Sequence, residues 1–181
     1  KMKEAVSDRK NHRYPSYEGM IEFREAVAKW YKRRFNVDLD PEKEILTLIG
    51  SKDGISHIPF AFIDEGDLAL VPSPGYPVYR IMTMLAGGTP HIMALREEND
   101  FLPQIEEIPQ EVAEKAKLMF LNYPNNPTGA HATDEFYERV LSFAKKYGII
   151  ICHDAAYSEI YFDGLKPHSI LEYDTKKEIS V

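Results

Sequence analysis

The strongest constraint on the fold is a repeated switch between strand-like and helix-like apolar spacing along the chain. The run "IIICHD" opens with four apolar residues, 149–152, and it follows a stretch of helical spacing, 134–148, that ends at a glycine. Strands that are apolar on both faces and alternate with helices indicate a mostly parallel sheet with helices on both sides. We therefore predict an α/β fold, a three-layer α/β/α sandwich with a mostly parallel sheet.

The same spacing predicts the individual elements. We find no internal repeat and no low-complexity linker, so we expect one domain over residues 1–181. Glycines beside several of the periodic segments mark where helices begin or end. Helices are predicted over 20–35, "SKDGISHIPFAFI", "YPVYRIMTMLAGG" and 134–148, and strands over 44–50, 68–72, 91–95, "KLMFLN" and "IIICHD", with a further strand starting at "EISV".

Composition narrows the classes of function. The chain has 181 residues, is 44% apolar and carries a formal net charge of −7 with its basic residues scattered. This pattern argues against a nucleic-acid-binding surface and against a polybasic membrane patch. No run approaches the roughly 20 apolar residues of a membrane-spanning helix, and the N-terminus lacks the apolar region of a signal peptide. We expect a cytoplasmic protein without metal ligands.

The single cysteine, Cys152, lies inside the apolar run "IIICHD". It cannot form an internal disulfide, which fits a reducing compartment. We interpret it as a small buried hydrophobic residue.

Residues suited to chemistry follow the predicted strands. In an open parallel sheet, ligands bind outside the carboxyl ends of the strands. A Gly-Ser-Lys turn follows one strand, Tyr76 follows a Pro-Gly turn after the next, Asn126 lies in the loop after "KLMFLN", and Asp154 and Tyr157 follow "IIIC". A phosphate-suited turn, an aromatic ring, an amide and an acid with a phenol suggest a flat, phosphorylated, nitrogen-containing cofactor.

The Gly-Ser-Lys turn consists of Gly50, Ser51 and Lys52 and opens a predicted helix. Free N–H groups and the positive end of the helix dipole there suit a phosphate. The alternative is an ordinary serine N-cap beside a solvated lysine.

Tyr76 and Asp154 each have a structural alternative. The ring of Tyr76 is placed either to stack on a planar ligand or to pack on the core. The carboxylate of Asp154 ends an apolar strand and needs a cationic or hydrogen-bonded partner. His153, a capping role or a protonated pyridine nitrogen would each meet that need.

The loop "NYPNNPTGAHA" contains more turn-forming residues than a plain turn needs. Pro124 and Pro127 favour an extended path, and Gly129 allows the chain to turn. These constraints direct the amide of Asn126 toward the carboxyl edge of the sheet. The alternative is that Asn125 and Asn126 only satisfy loop backbone groups through Asx turns.

The motifs "NYPNNPTG" and "HDAAYSEIYFDG" resemble those of the fold-type I, pyridoxal-phosphate-dependent aminotransferases, and the likeness covers nearly the whole chain. Within that family, "YPSYEGMIEFREAVAKWY", "LIGSKDGISHIPFAFIDEGD" and "LVPSPGYPVY" look most like the LL-diaminopimelate aminotransferases. The resemblance implies amino-group transfer between LL-2,6-diaminopimelate and 2-oxoglutarate, in lysine biosynthesis. Two alternatives stay open: another pyridoxal-phosphate enzyme of this fold, such as a β-lyase, and a non-catalytic binding module.

The resemblance also implies roles for the residues at the strand ends. Asp154 would bind the pyridine nitrogen of pyridoxal 5'-phosphate, and Asn126 and Tyr157 would hydrogen-bond its phenolic oxygen. Tyr76 would stack on the ring. The turn of Gly50, Ser51 and Lys52 would bind the phosphate.

Further implications concern a second subunit. Family members are homodimers with active sites at the interface. Tyr14 resembles a tyrosine that reaches into the neighbouring site, and Glu18 resembles a contact to the distal end of the substrate. The alternative for Tyr14 is simple packing within an N-terminal loop.

The family's Schiff-base lysine has no match here. Lys166, Lys176 and Lys177 lie in polar connections before the last predicted strand. We therefore expect residues 1–181 to be a pyridoxal-phosphate-binding large domain that lacks the N-terminal arm, the catalytic-lysine segment and the C-terminal small domain. We expect this chain to be inactive by itself.

Overall fold

The computed structural model describes all residues, 1–181, which form two compact units, Lys1–Leu48 and Ile49–Val181. The sequence has no low-complexity linker at the junction of the units, so its composition gives no sign of this division. No helix is long and apolar enough to cross a bilayer.

The first unit contains two helices, α1 (Met2–Ser7) and α2 (Ile21–Phe35). The predicted helix over 20–35 is confirmed, whereas α1 was not predicted. Asn36 ends α2 in the left-handed conformation, with its N–H donating to the carbonyl of Lys32.

The prediction of a strand over residues 44–50 is wrong. This segment has irregular backbone, and its apolar side chains Leu46 and Ile49 are exposed. Within the first unit, the N–H of Thr47 donates to the carbonyl of Glu18, which lies in a loop. Strand-like composition did not produce a strand here because the segment joins no sheet.

The second unit is built on a four-stranded sheet in the order β2-β1-β3-β4, with every pairing parallel. This confirms the predicted parallel sheet. Ser180 forms a further parallel bridge with Ile151, as expected for a strand starting at "EISV". The strands are β1 (Leu68–Ser73), β2 (Thr89–Ala94), β3 (Ala116–Asn122) and β4 (Ile150–Asp154).

Four helices belong to this unit: α3 (Ser51–Phe62), α4 (Pro77–Leu85), the short α5 (Gln110–Ala113) and α6 (Asp134–Tyr147). The sequence predicted α3, α4 and α6. Helix α6 begins where the hydroxyl of Thr133 accepts a hydrogen bond from the N–H of Phe136. It ends at Gly148, whose φ of 70° places it in the left-handed region. Single 3-10 turns cover Arg9–Asn11 in the first unit and Glu97–Asn99, Ile105–Glu107 and Ile170–Glu172 in the second.

Side chains alternate between the two faces of the sheet, and each face has its own apolar cluster. Along β3, Leu118 and Phe120 face the cluster that includes Ile55 of α3 and Tyr79 of α4. Met119 and Leu121 face the cluster built by α6. Because helices cover both faces, the second unit is the three-layer α/β/α sandwich that the sequence predicted.

Helix α3 runs antiparallel to the strands. Its C-cap residue, Ile63, contacts Gly88, which directly precedes β2 at the amino edge of the sheet. Near its other end, Ile55 packs in the same cluster as Cys152, which is close to the carboxyl end of β4. The N-terminus of α3 therefore points toward the carboxyl edge, where ligands bind in such sheets.

Candidate cofactor site

Asp154, the last residue of β4, is the centre of the candidate site. Its Oδ2 accepts a hydrogen bond of 2.7 Å from the Oη of Tyr79, on α4. Partial burial raises the pKa of the Asp154 carboxyl above its usual range, although the hydrogen bonds from Tyr79 and from the N–H of Ala156 act to lower it. The site therefore holds a poorly solvated carboxyl group with two fixed donors.

Tyr79 is a partner of Asp154 that the sequence did not predict. Its side chain is completely buried, stacks on Phe120 with a centroid distance of 4.8 Å, and meets the edge of Tyr76 at 5.9 Å. Burial, and then the nearby Asp154, raise the pKa of Tyr79 far above that of a free phenol. The phenol therefore stays protonated and donates to the carboxylate. Its only signal in the sequence is a spacing of three residues from Tyr76 on a predicted helix.

His153 is not the partner of Asp154 that the sequence left open. It lies on the opposite face of β4, where its Nε2 is 3.2 Å from the Oη of Tyr137 and its Nδ1 accepts from the N–H of Ile170. Burial lowers the pKa of His153 to about 4, so its ring is neutral at neutral pH. Adjacent residues of a strand point to opposite faces, which is why this alternative is wrong.

The two asparagines of the loop after β3 have different surroundings. Asn125 is buried, and its Oδ1 accepts from both the N–H and the hydroxyl of Thr128. It therefore satisfies loop backbone as the alternative expected, although its N–H partner is three residues on rather than the two of an Asx turn. Asn126 is only partly buried, and its Nδ2 lies 3.5 Å from the Oη of Tyr157, at the outer limit of a hydrogen bond. The amide and the phenol that the sequence assigned to one ligand oxygen are therefore neighbours.

A second residue that the sequence analysis did not single out is Asn122, the last residue of β3. Its Nδ2 donates to the carbonyl of Asp154 at 2.8 Å, and its Oδ1 accepts from the N–H of Asn126 at 2.7 Å. This side chain links the end of β4, which carries the predicted acid, to the loop that carries the predicted amide. The periodicity of "KLMFLN" gave no signal of that role, since the residue reads as the polar end of a strand.

The predicted phosphate turn lies at the N-terminus of α3. Gly50 is the N-cap residue, with φ of 85° and no side-chain capping hydrogen bond. The alternative of a serine N-cap is therefore wrong, because Ser51 is already the first helical residue. Ser51 and Lys52 are exposed, and their N–H groups have no partner within the helix, whereas the N–H of Asp53 donates to the carbonyl of Gly50 at 3.1 Å.

Tyr76 is the N-cap residue of α4 and is partly buried. Its ring contacts the ring of Tyr79, and the hydroxyl of Tyr79 donates to the Asp154 carboxylate. The structure thus connects Tyr76 with Asp154 through Tyr79, and Asn126 with Asp154 through Asn122.

Tyr14 and Glu18 belong to the first unit. The side chain of Tyr14 is 97% exposed, so the alternative of packing within its loop is wrong. Their predicted contacts with a neighbouring subunit and with substrate remain predictions.

The residues of the second unit fit the chemistry of a phosphorylated pyridine ring. A carboxylate held by Tyr79 suits a protonated ring nitrogen, and an amide beside a phenol suits a ring oxygen. The helix N-terminus at Gly50 suits a phosphate. These features are the ones expected of a cofactor-binding α/β domain.

The comparison with known families agrees with this class. The profile of the family described as "Aminotransferase class I and II" matches residues 1–181. The chain belongs to the class I and II aminotransferases, a pyridoxal-phosphate-dependent family. The family resemblance found in the sequence is therefore confirmed.

Curated relatives are similar over the whole chain. The LL-diaminopimelate aminotransferase of Halothermothrix orenii is 56% identical over 181 residues, which cover 100% of this chain and 46% of the relative. That of Desulforudis audaxviator is 58% identical over 171 residues, covering 94% and 44%. The chain spans about half the length of the curated relatives it matches.

Solved structures share the fold. Apo BacF of Bacillus subtilis superposes with a TM-score of 0.94 at 42% identity, covering 99% of this chain and 48% of BacF. A probable N-succinyldiaminopimelate aminotransferase of Thermus thermophilus superposes with a TM-score of 0.91 at 36% identity, covering 99% and 48%. The second unit therefore has the architecture of a fold-type I aminotransferase.

Proposed function

We propose that the full-length protein is a pyridoxal-phosphate-dependent aminotransferase that moves an amino group between LL-2,6-diaminopimelate and 2-oxoglutarate, in lysine biosynthesis. The substrate assignment is supported by relatives of that name at 56% and 58% identity. The observation that carries the assignment to a cofactor enzyme is the carboxylate of Asp154, fixed by Tyr79 at the carboxyl edge of a parallel sheet.

Asp154 binds the protonated ring nitrogen in this proposal. When bound, the cofactor supplies an electron sink for the charge that develops as the substrate loses its α-proton. A carboxylate at the ring nitrogen keeps the nitrogen protonated, because the two opposite charges stabilise each other. Tyr79 donates its hydroxyl hydrogen to Asp154, which favours the ionised form of the carboxyl group that this role requires.

The other residues orient the cofactor. Asn126 and Tyr157 donate hydrogen bonds to its phenolic oxygen, and Tyr76 covers one face of the ring. Gly50, Ser51 and Lys52 bind the phosphate through the free N–H groups of the first turn of α3 and the lysine charge.

We propose further that the protein is a cytoplasmic homodimer with its active site at the interface. The exposure of Tyr14 supports a contact with another subunit, and the free, buried Cys152 is consistent with a reducing compartment. Small amino acids and 2-oxo acids, rather than nucleic acid or membrane, are the proposed binding partners, with Glu18 facing the distal end of the substrate.

Residues 1–181 are, in this proposal, the cofactor-binding large domain, with the Schiff-base lysine outside it. Lys166 follows a turn at Gly164, and Lys177 lies in a turn closed by a hydrogen bond from its N–H to Asp174. The 181-residue chain alone should therefore give no stoichiometric adduct when it is mixed with pyridoxal phosphate and reduced with borohydride. An adduct on one of its lysines, together with steady turnover, would contradict this assignment.

The function is tested by assaying the purified full-length protein with pyridoxal phosphate, LL-2,6-diaminopimelate and 2-oxoglutarate. The expected result is formation of glutamate from LL-2,6-diaminopimelate. N-succinyldiaminopimelate is assayed separately as the competing amino donor. Release of ammonia and a 2-oxo acid from an amino acid that carries a leaving group on its β-carbon, with no 2-oxo acid acceptor present, would instead favour a β-lyase. Cofactor binding without any turnover would favour a non-catalytic binding module.

A further inference from the structure

Asn122 is a buried amide at the end of β3, and only 2% of it is exposed. Its Nδ2 donates to the Asp154 carbonyl at 2.8 Å, and its Oδ1 accepts from the Asn126 N–H at 2.7 Å. A backbone N–H can only donate and a backbone carbonyl can only accept, so these two partners fix the orientation of the amide. One side chain thus bonds to the backbone of two predicted cofactor ligands.

The amide of Asn122 lies where the pairing of β3 with β4 ends. Asn122 and Asp154 are the last register pair between β3 and β4, so regular backbone pairing stops at this point. Beyond it, the loop after β3 carries Asn126 and the loop after β4 carries Tyr157. Any sliding of one loop relative to the other would lengthen one of the two hydrogen bonds of Asn122.

We propose that Asn122 is a positioning residue that fixes the Asn126 amide relative to the Asp154 carboxylate, so that both reach the same cofactor ring. This inference rests on the proposed function, since it assumes that the site binds pyridoxal phosphate. Asn122 itself is nearly inaccessible, and both ends of its amide are already bonded to protein. It acts on the cofactor only through the backbone that carries Asn126 and Asp154.

Asn125 provides a matched control within the same loop. It is also a buried asparagine, at 5% exposure, and its amide also makes hydrogen bonds at both ends. Its partners, however, are Thr128 and the carbonyl of Asn122, and none belongs to β4 or to the loop after it. Changing Asn125 therefore removes comparable bonds without removing the link to Asp154.

The test compares Asn122→Asp and Asn125→Asp in the full-length protein. In Asn122→Asp an acceptor oxygen replaces the Nδ2 donor and faces the Asp154 carbonyl, while an acceptor for Asn126 is kept. Losing this buried hydrogen bond should weaken pyridoxal-phosphate binding about tenfold, as measured by fluorescence titration. Asn125→Asp should change the same Kd less than about twofold at a similar thermal midpoint.

A double-mutant cycle separates positioning from a general loss of stability. If Asn122 acts partly through Asn126, then Asn122→Asp combined with Asn126→Ala should weaken binding by less than the product of the two single effects. Independent, fully multiplicative effects on Kd would show that Asn122 does not act through Asn126, and would overturn the proposal. Asn122→Ser, which is small and uncharged, gives the same comparison if Asn122→Asp does not fold.

The remaining outcomes also decide the question. If the wild type binds pyridoxal phosphate and the folded Asn122 variant binds it equally well, the positioning role is wrong and the proposed function stands. If the wild type itself does not bind pyridoxal phosphate, the proposed function and this inference both fail.

Discussion

The hydroxyl of Tyr79 lies 2.7 Å from Oδ2 of Asp154, although 75 positions separate the two residues in the chain. Tyr79 is on α4 and Asp154 ends β4, so the contact exists only because α4 covers the face of the sheet toward which Asp154 points. It brings a buried, protonated phenol to the carboxyl group that we assign to the cofactor's ring nitrogen.

Tyr79→Phe should raise the pKa of Asp154 further, because the phenol's hydrogen bond lowers it in the wild type. The carboxyl then ionises only at higher pH, so the acid limb of the kcat/KM profile should move to higher pH. Loss of a hydrogen bond to a charged group should also weaken cofactor binding by roughly tenfold or more. A pH series of kcat/KM and a cofactor titration measure the two effects.

Tyr123→Phe is the matched control for that variant. Tyr123 is also a buried tyrosine, and its hydroxyl donates to the carbonyl of Phe101 at 2.8 Å in the cluster on the α6 side of the sheet. It should lower the thermal midpoint without moving the pH profile. Equal shifts of the profile in both variants would show that Tyr79 acts through the general stability of the fold.

Asp154→Asn should reduce turnover by orders of magnitude while the protein still folds. An amide cannot stabilise a positive charge on the ring nitrogen, so the electron sink is lost. The folded protein raises the pKa of Asp154, so ionisation of this group costs folding free energy. Wild-type stability relative to Asp154→Asn should therefore fall as pH rises through the raised pKa.

Steady-state kinetics and urea unfolding at several pH values check both parts of that prediction. Asp163→Asn, in an exposed turn, is the control and should change neither quantity. Near-normal turnover in Asp154→Asn would remove Asp154 from the mechanism.

Gly50→Ala should weaken cofactor binding through the backbone at the N-terminus of α3. Gly50 has φ of 85° and ψ of 159°, a conformation nearly confined to glycine, and a Cβ there would meet no other atom, so the cost is conformational strain of about 1–3 kcal/mol. Relief of that strain would move the first N–H groups of α3 away from the phosphate. Titration of pyridoxal phosphate, and of inorganic phosphate as a competitor, measures the effect.

Gly164→Ala controls for strain alone. Gly164 has φ of 78° and equally open surroundings, but it lies in a turn after β4. It should lose similar stability and keep its cofactor affinity. If both variants bind the cofactor as the wild type does, the turn at Gly50 is not the phosphate site.

Asp174→Asn should destabilise the start of the strand that follows β4. The side chain of Asp174 is fully buried and accepts hydrogen bonds from the N–H of Ile179 and the hydroxyl of Ser180, with Lys145 at 3.5 Å. Burial alone would raise the pKa of Asp174, but these partners hold it below its ordinary value of 3.8. Both hydrogen bonds go to Oδ2, so an amide oxygen can keep them, but they are no longer bonds to a charged group and an NH2 group faces Lys145 in place of Oδ1. The expected loss is about 1–3 kcal/mol at neutral pH.

The pH dependence gives the sign of this contribution. Since the folded protein lowers the pKa of Asp174, its stabilising effect is complete above the unfolded value and disappears as pH falls through the lowered pKa. The stability difference between wild type and Asp174→Asn should therefore shrink in acid. Urea unfolding at neutral pH and at successively lower pH measures it, and a difference that grows in acid would contradict the assignment.

Most helices and strands could be predicted because the local spacing of apolar residues indicates them. The doubly apolar run at 149–152 required a strand covered on both faces, and the glycines beside α3 and α6 placed helix ends to within a residue. Residues 44–50 show the limit of this reasoning. Strand-like composition forms a strand only where a neighbouring strand supplies hydrogen-bond partners, and the sequence does not state which segments become neighbours.

The site divides in the same way. Turn residues at strand ends determine where a ligand can bind, so Tyr76, Asn126 and Asp154 could be chosen from the sequence. Tertiary structure alone decided that Tyr79 and Asn122, rather than His153, hold Asp154. The reason is geometric: a side chain's partner depends on which face of a strand meets which helix, and packing sets that across 75 residues of sequence.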